Sequence, residues 1–147
     1  MTTIVRGIPT APDVEKLVGA FPSLKEGDVV TYSDIENIIE KEKGTNRFNS
    51  VTFAWRKRLF RESNLVLDSI PNEGYKVLPP SERVGFSGRK FVGGLRTMGR
   101  AAAVAGMTER NKLSSEQIKT LDHIVRTTAS LKLTAKLEAQ KLRIEAP

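Results

Sequence analysis

A single change of hydrophobic period, at Ser63-Asn64, sets most of what this chain can fold into. Before it, Phe48, Val51, Trp55 and Leu59 recur at spacings of three and four, which places them on one stripe of a helix. Asn49, Ser50, Phe53, Arg56, Lys57 and Arg61 then fall on the flanks or the opposite side. After it the period is two. Leu65, Leu67 and Ser69 alternate with Val66, Asp68 and Ile70, Pro71-Asn72-Glu73-Gly74 supplies a turn, and Tyr75-Lys76-Val77-Leu78 returns. The stretch Arg47–Leu78 therefore predicts one basic amphipathic helix followed directly by a β-hairpin.

The other 115 or so residues limit the possible chemistry. The chain of 147 residues holds one ordinary domain or a small domain with an appendage. An apolar share of 39% and a charged share of 28% describe a folded, soluble protein. With no cysteine there are no disulfides and no thiolate metal sites. A single histidine, His123, leaves no material for a histidine metal cluster, and it sits mid-helix with no acid-base constellation around it. No run approaches the roughly 18 apolar residues of a membrane span, and the N-terminal MTTIVRGIPTAP lacks the apolar core of a signal peptide. A cytoplasmic protein without cofactor is the expectation.

The net charge is +7, and it is unevenly spread. Residues 1–43 carry eight acidic and five basic side chains; residues 44–63 carry Arg47, Arg56, Lys57, Arg58 and Arg61 against Glu62 alone. Residues 81–112 carry seven basic side chains against Glu82 and Glu109. Segregated positive charge favours a polyanionic partner.

In chain order, residues 1–11 read as a loose arm. Pro12 and Asp13 open a first helix with Val14, Leu17 and Val18 as its stripe, and Phe21-Pro22 breaks it. Gly27-Asp28 is a turn and Val29–Tyr32 a short β-prone run. Ser33 and Glu36 stand at capping-box spacing ahead of Ile35, Ile38 and Ile39, in a second helix that stops by Gly44. Thr45 or Asn46 caps the third, from Arg47 to Glu62. Pro79-Pro80 ends the hairpin and marks the domain boundary. Beyond it Phe91, Leu95, Met98, Ala102 and Ala105 predict a helix over 87–105 with Gly106 as its stop. The Gly93-Gly94 pair lacks the strand and the lysine of a phosphate-binding loop. A second cap at Ser114–Gln117 opens a helix reaching about Arg143, whose apolar stripe starts broad and drifts, with a frayed tail over 136–147.

Helix, short strand, helix, turn, helix, hairpin: in that order, residues 12–78 resemble the winged helix-turn-helix class of DNA-binding domain. The ending Gly74-Tyr75-Lys76-Val77-Leu78 is similar to the wing of bacterial response-regulator output domains. Gly27–Ile35 also resembles the Gly-x-Val-x-Thr-Tyr run of the alkylguanine DNA-repair transferases. Those need a cysteine nucleophile, and this chain has none. The fold class expected is mainly α with a small β-hairpin: a winged helix over 1–80 and a two-helix appendage over 81–147 that dimerises or docks a partner.

The resemblance makes the helix at 47–62 a recognition helix and the hairpin at 65–78 a wing. Arg47, Asn49 and Ser50 lie at the helix N-terminus, the end that reaches base edges in a major groove, where arginine suits guanine and asparagine adenine. Phe53 either packs on the wing or touches a thymine methyl. Arg56, Lys57 and Arg61 lie further along, opposite backbone phosphates. Asn72 and Lys76 on the wing face phosphate or the minor groove. Trp55 shares the buried stripe and is expected in the core, and Arg58 pairs with Glu62 four residues on. Asp13, Glu15, Asp34 and Glu36 read as helix-cap and first-turn acids, not as a catalytic pair.

The expected function is sequence-specific binding of double-stranded DNA by a non-enzymatic, nucleoid-associated homodimer of bacterial or phage type, with transcriptional regulation as the default task. Two alternatives stand beside it. One is a protein-interaction winged helix serving as an assembly element. The other is a non-specific nucleoid or RNA-binding protein, with residues 83–112 supplying most of the affinity.

Overall fold

The computed structural model describes residues 8–145, with side chains through residue 140. The chain is mainly helical, with a small antiparallel sheet, and divides into two compact units, 1–86 and 87–147. Most of the loose arm expected at 1–11 lies outside the described residues.

The first unit contains α1 (Ala11–Ala20), β1 (Val29–Thr31), α2 (Tyr32–Ile39), α3 (Asn46–Ser63), β2 (Leu67–Ile70) and β3 (Gly74–Val77). Its core is the one the periodicity implies. Val14 and Leu17 of α1, Ile35 and Ile39 of α2, and Phe48, Val51, Trp55 and Leu59 of α3 are all buried against Val30, Leu67, Tyr75 and Val77 of the sheet. Aromatic rings join the helices to the strands: Tyr75 stands edge-on to Tyr32 at 5.3 Å and to Trp55 at 6.5 Å, and Phe21 lies 5.9 Å from Trp55. Such offset contacts contribute about 0.5–1.5 kcal/mol each beyond the area they bury.

The hairpin does not stand alone. The β-prone run at Val29–Thr31 adds to it, giving the strand order β1-β3-β2, with Val30 opposite Tyr75 and Leu67 opposite Val77. A third strand matters physically, because an isolated two-stranded hairpin is marginal in water. The β2–β3 turn closes through the Glu73 N–H donating to Ile70 O at 3.2 Å, with Asn72 at φ 62°. Asparagine tolerates that left-handed conformation better than most residues.

The second helix begins earlier than its capping signal suggested. Thr31, not Ser33, is the N-cap: its hydroxyl accepts the Asp34 N–H at 3.1 Å and donates to Asp34 Oδ2 at 2.6 Å. Thr31 is already extended as the last residue of β1, so the strand feeds straight into the helix, and Glu36 is left to accept the Lys43 N–H. Thr45 caps α3, its hydroxyl accepting the Phe48 N–H at 3.2 Å.

α4 runs from Pro80 to Met107, seven residues longer at its start than the expected helix. Proline at the first helical position costs nothing, since that N–H has no helical partner anyway. The Glu82 and Arg83 N–H groups donate to Pro79 O, and Arg83 Nε donates to Leu78 O at 3.0 Å. These bonds hold the first turns of α4 to the sheet, and the first compact unit runs through Phe86. Gly106 lies inside the helix, which ends one residue later at Met107; among the described residues the positive-φ glycines are Gly27 and Gly44.

The second unit continues α4, makes a 3-10 turn at Arg110–Lys112, and returns along α5 (Ser115–Glu145). Ser114 and Gln117 form the expected reciprocal cap: the Gln117 N–H donates to Ser114 Oγ, and the Ser114 N–H to Gln117 Oε1. The helix continues through the segment expected to fray, as far as Glu145. Among the described residues no helix is long and apolar enough to cross a membrane.

Candidate nucleic-acid interface

α3 divides its side chains cleanly. Asn49, Ser50, Phe53, Lys57 and Arg61 are exposed and share the side opposite the buried stripe. Phe53 is 63% exposed. Phe60, two turns further on, is 58% exposed on the same side; the reading of the sequence passed over it, although its spacing of seven from Phe53 was the available signal. Lys57 forms no ion pair or hydrogen bond among the described residues. Among the described residues Arg61 pairs only with Glu62, at 3.4 Å, and it stays largely in solvent.

Two of the residues expected to contact DNA are engaged within the chain. Arg47 does not present its guanidinium to a groove. Its Nε and Nη2 donate to Asp13 Oδ2 at 3.0 and 2.6 Å, Nη1 donates to Ile8 O at 2.6 Å and Nη2 to Pro9 O at 2.8 Å. The sequence showed Asp13 as a first-turn acid of α1, but not that α1 starts beside the start of α3. Lys76 is likewise engaged, its ammonium donating to both carboxylate oxygens of Glu82 at 2.7 and 3.0 Å. Because α4 begins at Pro80, Glu82 is brought back beside β3.

The remaining arginines of α3 are also held. Arg56 lies over the Tyr75 ring, 4.6 Å from its centroid, and is half-buried there. Arg58 pairs with Glu62 at 2.9 Å, as its spacing predicted, and also with Glu15 of α1. The hydrogen bond from Arg58 holds the Glu62 carboxyl below its usual range, and the same bond raises the Arg58 guanidinium. The open cations of α3 therefore reduce to Lys57 and Arg61, with Arg56 at the edge. Asn72, at the tip of the hairpin, is exposed.

The N-terminal turn of α3 thus offers an amide and a hydroxyl, its middle an aromatic ring and an ammonium, and its end a guanidinium. Groups of these types form hydrogen bonds and charge contacts. Among the described residues no cluster of three or more acids or histidines is placed to hold a metal ion. His123 is exposed on α5. Comparison with protein-family models, curated proteins and solved structures gave no match.

Proposed function

We propose that residues 12–78 form a winged helix-turn-helix and that the chain binds double-stranded DNA without catalysing a reaction on it. The observation that carries this reading is the open strip of α3, with Asn49, Ser50, Phe53, Lys57 and Arg61 free of the core that holds the helix. The element order and the three-stranded sheet beside α3 support it. In this reading Asn49 and Ser50 reach base edges, Phe53 lies against a thymine methyl, and Lys57 and Arg61 meet phosphates. Asn72 at the hairpin tip contacts backbone or minor groove. The task is regulation of transcription.

Selection from a random duplex pool tests this directly: a preferred sequence should emerge. Asn49→Ala should then relax preference at one position, at about 1–3 kcal/mol of discrimination. Lys57→Ala should weaken every duplex alike and lower the log–log salt slope by about 0.9. Retention of no duplex even at low salt would end the proposal. It would favour a second reading, an assembly element docking on a protein surface, for which the exposed pair Phe53 and Phe60 is the supporting observation.

The second unit is proposed to pair with a second copy. Of its residues 87–140, only Ala105 and Thr128 are buried, whereas Phe91, Val92, Leu131, Leu133 and Leu137 are exposed. α4 and α5 leave between them a cavity of about 570 Å³ lined by Phe91, Leu95, Met98, Leu131 and Ala135 among others. A helical pair with so small an interior needs further apolar cover. Sedimentation velocity is expected to show a dimer, and Phe91→Ser with Leu131→Ser to shift it to monomer; a monomeric native chain at every concentration would remove this part of the proposal.

A further inference from the structure

The net charge of the chain divides sharply at the boundary between its units. Residues 1–86 carry 12 Lys and Arg against 12 Asp and Glu, whereas residues 87–147 carry 12 against 5. The unit containing α3 is neutral overall, and the whole formal excess of +7 belongs to the helical pair. A unit of zero net charge, in which Arg61 is the one arginine of α3 left open, gives little long-range steering toward a polyanion.

On α4 the cations are ordered. No acidic residue occurs between Glu82 and Glu109. At 3.6 residues per turn, Arg89, Arg96 and Arg100 fall within roughly 40° of one another, and the stripe Phe91, Leu95, Met98, Ala102 and Ala105 falls on the opposite side. All three arginines are exposed, and Arg96 and Arg100 have no carboxylate partner among the described residues.

We propose that this α4 face, centred on Arg96 and Arg100, is a second, sequence-independent contact for the sugar-phosphate backbone of duplex nucleic acid. The proposal rests on the nucleic-acid reading above, but not on which residues of α3 read sequence. One feature favours a phosphate partner, and the nucleic-acid reading of α3 makes it the phosphate of a duplex. The face is built from arginines, whose planar fork suits bidentate contact with phosphate oxygens.

The test uses the full chain and a labelled random-sequence duplex in a KCl series. Arg96→Gln/Arg100→Gln should lower the slope of log affinity against log salt by about 1.8, two contacts at about 0.9 each. The ratio of affinities for selected and random duplex should stay unchanged. Glutamine keeps helix propensity close to arginine, so unchanged far-ultraviolet circular dichroism is expected. Arg96→Lys/Arg100→Lys should recover most of the slope, because it restores the charge. An unaltered slope in the glutamine variant overturns the inference and leaves the α3 reading standing. A slope lost while Asn49→Ala and Lys57→Ala change nothing supports the inference and removes the α3 reading. A fall in the selected-to-random ratio would make these arginines base readers and overturn the inference. So would binding of phosphatidylserine vesicles without binding of duplex.

Discussion

Gly74→Ala is expected to cost about 3–5 kcal/mol, at the upper end of what single substitutions do. Gly74 opens the central strand and pairs with Thr31 on one side and Ile70 on the other. A methyl group there would sit 2.7 Å from Thr31 Cα and 2.8 Å from the Val30 carbonyl carbon, and closer still to the Val30 oxygen. Every one of these atoms is backbone, so no rotamer change relieves the overlap; β1 must move away from β3. That movement carries further losses, because Thr31 also caps α2 and the Tyr32 N–H donates to Glu73 O at 2.9 Å. The contrast is Gly99, where an added methyl meets only the Nζ and Cε of Lys132, the far end of a flexible side chain. Urea unfolding followed by the fluorescence of Trp55, the lone tryptophan, reads the first unit directly. A midpoint for Gly74→Ala equal to that of the native chain would mean that β1 does not pair in this register. Duplex binding should fall with the sheet, since α3 rests on Tyr75 of β3.

What the sequence made legible and what it hid follow from the range of the forces involved. The stripe Phe48, Val51, Trp55 and Leu59 was readable because helical period and burial are both local consequences of side-chain spacing. The turn at Pro71–Gly74 was readable for the same reason. The joining of β1 to β3 was not, because it pairs residues more than forty positions apart and no local pattern records a partner strand. The fate of the arginines was hidden for a similar reason. Arg58 with Glu62 is an i,i+4 pair and was foreseen, whereas Arg47 with Asp13 and Arg58 with Glu15 are set only once α1 lies along α3. A basic helix in sequence therefore became a helix with few open cations. Charge composition reports how many ionic groups exist, and the fold decides which of them remain available to a partner.

Pairing within the chain gives Arg47 and Lys76 a structural use. Arg47 uses its guanidinium to fasten Ile8, Pro9 and Asp13 to the first turn of α3, and Lys76 fastens β3 to Glu82 of α4. Both act as clasps at the edges of the first unit. An exposed pair such as Lys76–Glu82 contributes about 0–1 kcal/mol, and the largely buried Arg47–Asp13 pair fixes only the first turn, so the orientation of the open strip of α3 must come mainly from its buried side. Trp55 stands at the centre of that side.

Trp55→Ala is expected to remove about 3–5 kcal/mol, a large part of the 5–15 kcal/mol typical of a small domain. The indole is fully buried between Phe21 and Tyr75, and its loss leaves a cavity that two aromatic rings and a helix cannot readily close. Trp55→Phe is expected to behave differently. Among the described residues the buried indole Nε1 has no hydrogen-bond partner, and an orphan donor of that kind costs about 1–3 kcal/mol. Phenylalanine removes the orphan together with one ring's worth of packing, so the two terms largely cancel and a net loss of about 1 kcal/mol or less remains. Urea titrations followed by circular dichroism, which needs no tryptophan, compare the two variants with the native chain. Trp55→Phe should keep full duplex binding, and Trp55→Ala should lose it in step with its stability. If phenylalanine proves as damaging as alanine, the indole N–H has a partner in solution, and the ring is held by a polar contact as well as by packing.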